Sequence, residues 1–221
     1  MKNKKNLSKE LEVRYVSIPE VRSEKREDGK EVFLVKGTAV KFNELSRSIG
    51  WFREKFSPGA FDDVLEGDTV AVFNHNYDKV LARTISKTLK LTQDEVGLHY
   101  EFEAPDNTAG RDLVVSMQRG DIQHSSFSFR ASADRWEDDM ENGEIRTVDK
   151  VDLLRDVSPV VFPAYPQTVS EVAKRSYDEW KQEKETEKKE EQEQREETNE
   201  VELENETQAQ ELELLKLKYK N

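Results

Sequence analysis

The segment GDIQHSSFSF, residues 120–129, joins the end of a predicted helix to the start of a predicted strand. Gly120 can take the left-handed conformation that ends a helix. Serine and phenylalanine then alternate, which is the pattern of a strand whose two faces differ. Phe127 and Phe129 are therefore expected in the core, with Ser126 turned outward on the opposite face. The same pattern also fits a serine-rich strand that faces solvent and has no chemical role.

Apolar and polar residues also alternate in short segments on both sides of residues 120–129, and each segment predicts a strand. Asn142-Gly143 lies between two of them and is typical of a hairpin. Pro159 has no backbone N–H to donate and so indicates a sheet edge. Many short strands with few helices predict a mainly β (α+β) fold, an antiparallel β-barrel or sandwich with flanking short helices. The predicted strands are residues 11–22, 32–42, 69–73, 80–84, 88–92, 97–103, 126–135, 145–151 and 157–162.

Two short helices are predicted between these strands. Ser57 is a suitable N-cap and Pro58 suits the first helical position, so one helix is expected to run from there to about Gly67. Asn107 or Thr108 can cap the second helix, which is expected to end near Arg119. The second helix has an apolar face formed by Ala109, Leu113, Val114 and Met117.

The composition of the chain changes near residue 170. Of 221 residues, 37% are charged, yet all ten phenylalanines precede residue 170 and residues 181–200 contain no apolar side chain. We therefore predict a disordered N-terminus over residues 1–10, a globular domain over 11–169, and an acidic, helical or disordered tail over 170–221.

Several classes of protein are disfavoured by composition. The chain has no cysteine, which excludes disulfides, thiolate metal sites and cysteine nucleophiles. Its three histidines lack the close spacing of metal ligands, so no metal or cofactor is expected. A net charge of −12 argues against binding nucleic acid through the phosphates. The N-terminus does not resemble a signal peptide, and no segment is apolar enough to predict a membrane span.

A serine, a histidine and a carboxylate in this chain could together form a nucleophilic hydrolase site. Ser126 is the leading nucleophile, and a serine hydroxyl needs a nearby general base. His75, between two asparagines just past a predicted strand, is the leading base, although it could also be an ordinary loop histidine. His124 is a rival, but a residue two positions away on the same strand is poorly placed for proton transfer from Ser126.

A third group should orient the imidazole and stabilise its cation. Asp156 is the preferred candidate, and Asp149 and Asp152 lie nearby as alternatives. From the sequence alone, Asp156 could equally be an ion-pair partner of a neighbouring basic residue.

Six short blocks, in one order, carry a family resemblance. They are Phe56-Ser-Pro-Gly-Ala-Phe-Asp62, Phe73-Asn-His-Asn76, Val80-Leu-Ala-Arg-Thr84, Arg119-Gly-Asp-Ile122, Ser126-Phe-Ser-Phe129, and Leu154-Arg-Asp-Val-Ser158 with Phe162-Pro-Ala-Tyr-Pro166. Over about residues 32–168 the chain resembles the capsid maturation (prohead) proteases of tailed phages. The resemblance implies a serine endopeptidase related in fold to the herpesvirus assembly protease. It implies that Ser126, and not Ser125, is the nucleophile, with His75 as base and Asp156 as third member.

The chain departs from the family pattern at a few positions. Glycine and methionine are frequent in the family at the positions of His124 and Ser125, and glycine is frequent at the position of Ser128. Glutamate is frequent where Asp156 stands, and the shorter aspartate requires a closer approach of the backbone.

The resemblance also implies substrates and a place of action. Such proteases act inside the assembling procapsid, in the host cytoplasm, on the scaffold or a scaffold-like segment of the major capsid protein, and often on themselves. A homo-oligomer is expected, and the acidic tail is interpreted as an assembly or packaging segment removed by self-cleavage. The alternative is a catalytically silent, protease-like scaffold protein that acts through its tail.

Overall fold

The computed structural model describes residues 11–16, 19–162, 171, 173–192 and 194–195. The chain divides into two compact units, of which the first ends at Ser176 and the second begins at Tyr177. The described part of the chain before residue 161 contains ten strands, a short 3₁₀ turn and one α-helix. They are β1 (Glu12–Val16), β2 (Glu20–Lys25), β3 (Glu31–Lys41), β4 (Phe52–Phe56), the 3₁₀ turn (Asp62–Val64), β5 (Val70–Phe73), β6 (Asn76–Arg83), β7 (Leu89–Gln93), β8 (Gly97–Glu103), α1 (Thr108–Arg119), β9 (His124–Asp139) and β10 (Gly143–Val160).

The strands form two sheets. The first has the order β1-β9-β10-β5-β6, with β4 also paired to β10, and the second has the order β2-β3-β8-β7. The mainly β prediction is confirmed. The first sheet is mixed, because β10 pairs in parallel with both β4 and β5, while the other strand pairs are antiparallel. Among the described strands neither sheet closes on itself, so the predicted antiparallel β-barrel is not confirmed.

The hairpin β9–β10 forms the centre of the first sheet. The predicted hairpin is confirmed, but residues 143–160 make one long strand with irregular register instead of two strands. Pro159 is not at a sheet edge, because it pairs with Ser125 on one side and its carbonyl accepts the Asn74 amide on the other at 3.0 Å. Its missing N–H is tolerated because the β5 ladder ends at Val157.

One predicted helix is present and the other is not. In α1 the Asn107 side chain accepts a hydrogen bond from the Gly110 amide, and Gly120 ends the helix at φ 81°, as expected. The segment after Ser57 contains only the 3₁₀ turn. The Ser57 hydroxyl donates to Asp149 at 2.6 Å instead of capping a helix, and its amide donates to Val148 at 3.0 Å, so pairing with β10 replaces helical hydrogen bonds.

Phenylalanines hold β9 against the rest of the core. Phe127 and Phe129 are fully buried, which confirms the predicted face of the strand. Phe56 lies against both rings, with centroids 5.7 and 5.3 Å apart. The predicted first strand, residues 11–22, is divided between β1 and β2, which belong to different sheets.

Residues 173–192 are helical. The predicted disorder of residues 1–10 lies outside the described residues. No helix in the described part of the chain is both long and apolar enough to cross a membrane.

Candidate active site

His75 lies in a tight turn between β5 and β6. Only Asn74 and His75 separate the two strands, and their φ angles are 57° and 55°. Positive φ at both central residues is what a type I′ hairpin turn requires, and asparagine and histidine enter this region more readily than most residues. The turn therefore presents the imidazole at a fixed strand end.

Two residues of β9 and two of β10 place polar side chains on one face of the first sheet. Ser128 is the register partner of Asp156, and Ser126 is the partner of Ser158. Because alternate residues of a strand share a face, these four side chains form a compact square. This face is opposite to the one that carries the buried phenylalanines.

The three residues predicted for the site lie in hydrogen-bond contact. His75 Nε2 is 2.6 Å from Ser126 Oγ, and His75 Nδ1 is 2.7 Å from Asp156 Oδ1. The expectation that Ser126 is turned outward is wrong, because its side chain is fully buried. The imidazole lies against it, and its hydroxyl is also 2.8 Å from the carbonyl oxygen of Arg14 in β1. The His75 side chain itself is 28% exposed.

The Asp156 carboxylate accepts several hydrogen bonds besides that of His75. The Ser158 hydroxyl donates to Oδ1 at 2.6 Å, the Tyr77 hydroxyl donates to Oδ2 at 2.7 Å, and the Ser128 hydroxyl also donates to Oδ2. Burial alone raises the pKa of Asp156. The hydrogen bond and charge of His75, with the two serine hydroxyls, outweigh burial and hold this pKa below its ordinary value. The carboxylate is therefore ionised at neutral pH.

Sequence reasoning did not identify Tyr77, Ser128 and Ser158 as partners of the carboxylate. Strand parity contained a signal for the two serines, because Ser128 follows Ser126 by two residues and Ser158 follows Asp156 by two. No such signal marks Tyr77, since the β5–β6 turn lies just before it. Burial and the bond to Asp156 raise the pKa of the Tyr77 phenol.

The alternative site residues take part in other contacts. Asp149 accepts hydrogen bonds from Ser57 and Arg135, and Asp152 pairs with Arg130 at 2.7 Å. Ser125 lies on the other face of β9, where its hydroxyl is 2.6 Å from the Tyr100 hydroxyl. His124 is the first residue of β9, and the contact with Ser126 Oγ is made by His75.

This arrangement has the parts for nucleophilic chemistry on a carbonyl. A hydroxyl, an imidazole and an ionised carboxylate in series can deliver a nucleophile, accept its proton and stabilise the resulting cation. Within the described residues no group of three histidine or acidic side chains is arranged to hold a metal ion.

The family of this chain follows from a match to a known protein family. The model of the caudovirus prohead serine proteases matches residues 19–183. The chain belongs to this family. The prohead protease model thus includes every element from β2 to β10, while β1 precedes the matched residues.

One solved structure with a similar backbone is the bacteriophage T4 capsid assembly protease, gp21. It is 11% identical in sequence, and the similarity covers 69% of this chain and 98% of that chain with a TM-score of 0.47. No curated protein matches the chain.

Proposed function

We propose that this prohead protease is an active serine endopeptidase in phage procapsid maturation, with Ser126 as nucleophile, His75 as base and Asp156 as the group that orients the base. One observation carries the proposal. The His75 ring bridges Ser126 Oγ at 2.6 Å and Asp156 Oδ1 at 2.7 Å, which is the geometry for relaying a proton from the nucleophile.

The reaction follows from this order of contacts. Ser126 Oγ attacks the carbonyl carbon of the scissile peptide bond while its proton passes to His75 Nε2. The imidazolium then gives this proton to the leaving amine as the carbon–nitrogen bond breaks, which leaves an acyl group on Ser126. A water molecule, deprotonated by His75, then attacks the acyl carbon. The bond between this carbon and Ser126 Oγ breaks, the proton returns from His75 to Oγ, and the second product leaves.

Asp156 acts through His75. Its ionised carboxylate accepts the Nδ1–H of the ring, so that the lone pair of Nε2 faces Ser126. When the ring becomes charged, the same carboxylate stabilises it at 2.7 Å. The extra donors to Asp156 fix the position of the carboxylate and hence the plane of the ring.

The proposed substrates are the scaffold protein or a scaffold-like segment of the major capsid protein. Membership of the prohead protease family supports this substrate class and a site of action inside the assembling procapsid in the host cell. Self-cleavage, with removal of the acidic tail, and a homo-oligomer belong to the same proposal.

The proposal is tested by co-expressing the chain with the phage capsid and scaffold proteins. Ser126→Ala should lower substrate processing by at least about 10³-fold, and His75→Ala should do the same with no further loss in the double variant. Ser125→Ala is the matched control, because this neighbouring hydroxyl lies on the opposite face of β9. The Ser125→Ala chain should still process the substrate. Unchanged processing in folded Ser126→Ala would instead favour a catalytically silent scaffold protein.

Self-removal of the tail has a separate test. Mass spectrometry of the active chain should find a product shortened at its C-terminal end, and the Ser126→Ala chain should stay whole. An active enzyme that keeps its tail while it cuts capsid substrate would contradict self-removal.

A further inference from the structure

The strand β1 lies along the outer edge of the strand that carries Ser126. It pairs antiparallel with β9, and Tyr15 is the register partner of Ser126. In the order of the first sheet β1 is an end strand, so β9 is followed on that side by β1 alone among the described strands. Ser126 Oγ lies 2.8 Å from the Arg14 carbonyl oxygen. The nucleophile therefore faces a backbone carbonyl of the chain itself.

A peptide substrate would also have to place a backbone carbonyl next to Ser126. The Arg14 carbonyl occupies that place without being cleaved. A substrate bound as an added strand would use the same edge of β9 for backbone hydrogen bonds and would bring its carbonyl to Ser126. The Arg14 carbonyl oxygen competes with His75 Nε2 for the single hydroxyl proton of Ser126. While β1 is in place, Ser126 is fully buried and no other peptide can reach it.

The side chain of Arg14 occupies a defined pocket. Its Nε lies 2.5 Å from Glu54 Oε1 and its Nη2 lies 3.1 Å from Oε2, a two-point contact between guanidinium and carboxylate. The guanidinium carbon is 5.7 Å from the centre of the Phe129 ring. Glu54 is 1% exposed, so this contact is shielded from solvent.

The pocket keeps its own internal pairing without β1. Arg146 contacts Glu54 at 2.9 Å and Asp134 at 2.6 Å, in addition to its contact with Glu12 of β1. With β1 absent, two carboxylates would face one guanidinium, and this excess negative charge favours a cationic side chain. Glu54, Asp134 and Arg146 lie within residues 19–183 of the family match, whereas β1 precedes it.

We propose that the edge of β9 covered by β1 is the peptide-binding site, and that Glu54 with Phe129 forms an arginine-binding subsite on the face of the sheet opposite to the Ser126 side chain. Arg14 fills this subsite in the structure, so β1 is an internal competitor of the substrate. The ligand class is an extended peptide with arginine at the position of Arg14. Lysine should bind less well, because a single ammonium cannot reproduce the two-point contact. This inference rests on the proposed endopeptidase function, since it identifies the segment that the enzyme would receive.

Binding to an inactive chain tests the inference without any cleavage. The proteins are the full chain with Ser126→Ala, with and without Arg14→Ala. The probe is a fluorescent peptide of residues 11–18, Leu-Glu-Val-Arg-Tyr-Val-Ser-Ile, with matched peptides carrying alanine or lysine at the arginine. Fluorescence anisotropy reports the affinity of each peptide. Where Arg14→Ala does not fold, Arg14→Lys, which keeps the charge, takes its place.

The arginine peptide should bind the chain lacking Arg14 at least about tenfold more tightly than the chain retaining it, because its own strand no longer competes. The alanine peptide should bind at least about tenfold more weakly than the arginine peptide, with lysine between them. Equal binding of the arginine and alanine peptides, or no binding of either, would overturn the inference. Binding with arginine preference by a chain whose unsubstituted form cleaves nothing would reject the endopeptidase function and keep the site.

Discussion

Asp156 Oδ1 lies 2.7 Å from His75 Nδ1, although the two residues are 81 positions apart in the chain. The pairing of β5 with β10 brings them together, because the turn that carries His75 follows β5 directly. The Asn74 amide then fixes this turn to the Pro159 carbonyl of β10. The orientation of the proposed base is thus determined by backbone pairing as well as by the carboxylate.

Replacing Asp156 with asparagine should lower kcat by about 10³- to 10⁴-fold with little change in KM. An amide NH2 group in place of Oδ1 would donate to His75 Nδ1, so the ring would adopt the wrong tautomer. Steady-state cleavage of a capsid-derived peptide, with circular dichroism to check the fold, measures this. Asp152→Asn is the control, since that carboxylate pairs with Arg130 away from the site. Full activity in a folded Asp156→Asn chain would rule out the proposed role.

Ser128→Ala should destabilise the fold by about 1.5–3 kcal/mol at pH 7, because it removes a buried hydrogen bond to a charged carboxylate. The low pKa of Asp156 means that its ionised form stabilises the folded state. That contribution is complete above the unfolded pKa of about 3.9 and is lost as pH falls through the lower folded pKa.

The difference between Ser128→Ala and the unsubstituted chain should therefore shrink as pH falls below about 3.9. Urea unfolding of both chains at pH 7 and at successively lower pH measures it. An equal difference at every pH would show that the hydroxyl does not act through the ionised carboxylate.

The faces of β9 were predictable, but what covers each face was not. Alternation of serine and phenylalanine is local, so Phe127 and Phe129 were correctly placed in the core. The burial of Ser126 depends on residues far away in sequence, the Arg14 carbonyl and the His75 ring. The alternation of residues within one strand carries no information about such long-range contacts, and this is why Ser126 was wrongly predicted to be exposed.

The parallel pairings of β10 were beyond sequence reasoning for a similar reason. A hairpin has a turn signal such as Asn142-Gly143, whereas the pairing of β4 and β5 with β10 joins segments far apart in the chain without a local signal. The pairing of the segment around Ser57 with β10 also explains the missing helix, since the cap residues were suitable but their hydrogen bonds go elsewhere. In helix α1 the Asn107 side chain does cap the first turn, and this helix was predicted from its cap and apolar face.

Two tyrosine-to-phenylalanine substitutions should affect different properties, one the catalytic rate and the other the stability of the fold. Tyr77→Phe removes a donor to Asp156, so kcat should fall by about two- to tenfold, while stability changes by less than about 1 kcal/mol because the ring is 51% exposed. Tyr100→Phe removes the partner of the buried Ser125 hydroxyl and should cost about 1–3 kcal/mol of stability with kcat unchanged. Kinetics and urea unfolding of both variants test this, and loss of kcat in both would indicate a general loss of structure.

Gly97→Ala should destabilise the fold by at least about 3 kcal/mol. A Cβ at this position would lie 2.0 Å from the Val40 carbonyl oxygen, and backbone atoms cannot move aside as a flexible side chain could. Gly29→Ala is the matched control. No atom lies within 4 Å of its added Cβ, but φ is +82°, so only the cost of a left-handed alanine, about 1–2 kcal/mol, applies. Thermal unfolding of the two variants separates close packing from backbone strain, and equal losses would mean that β3 and β8 can move apart at Gly97 to accept a methyl group.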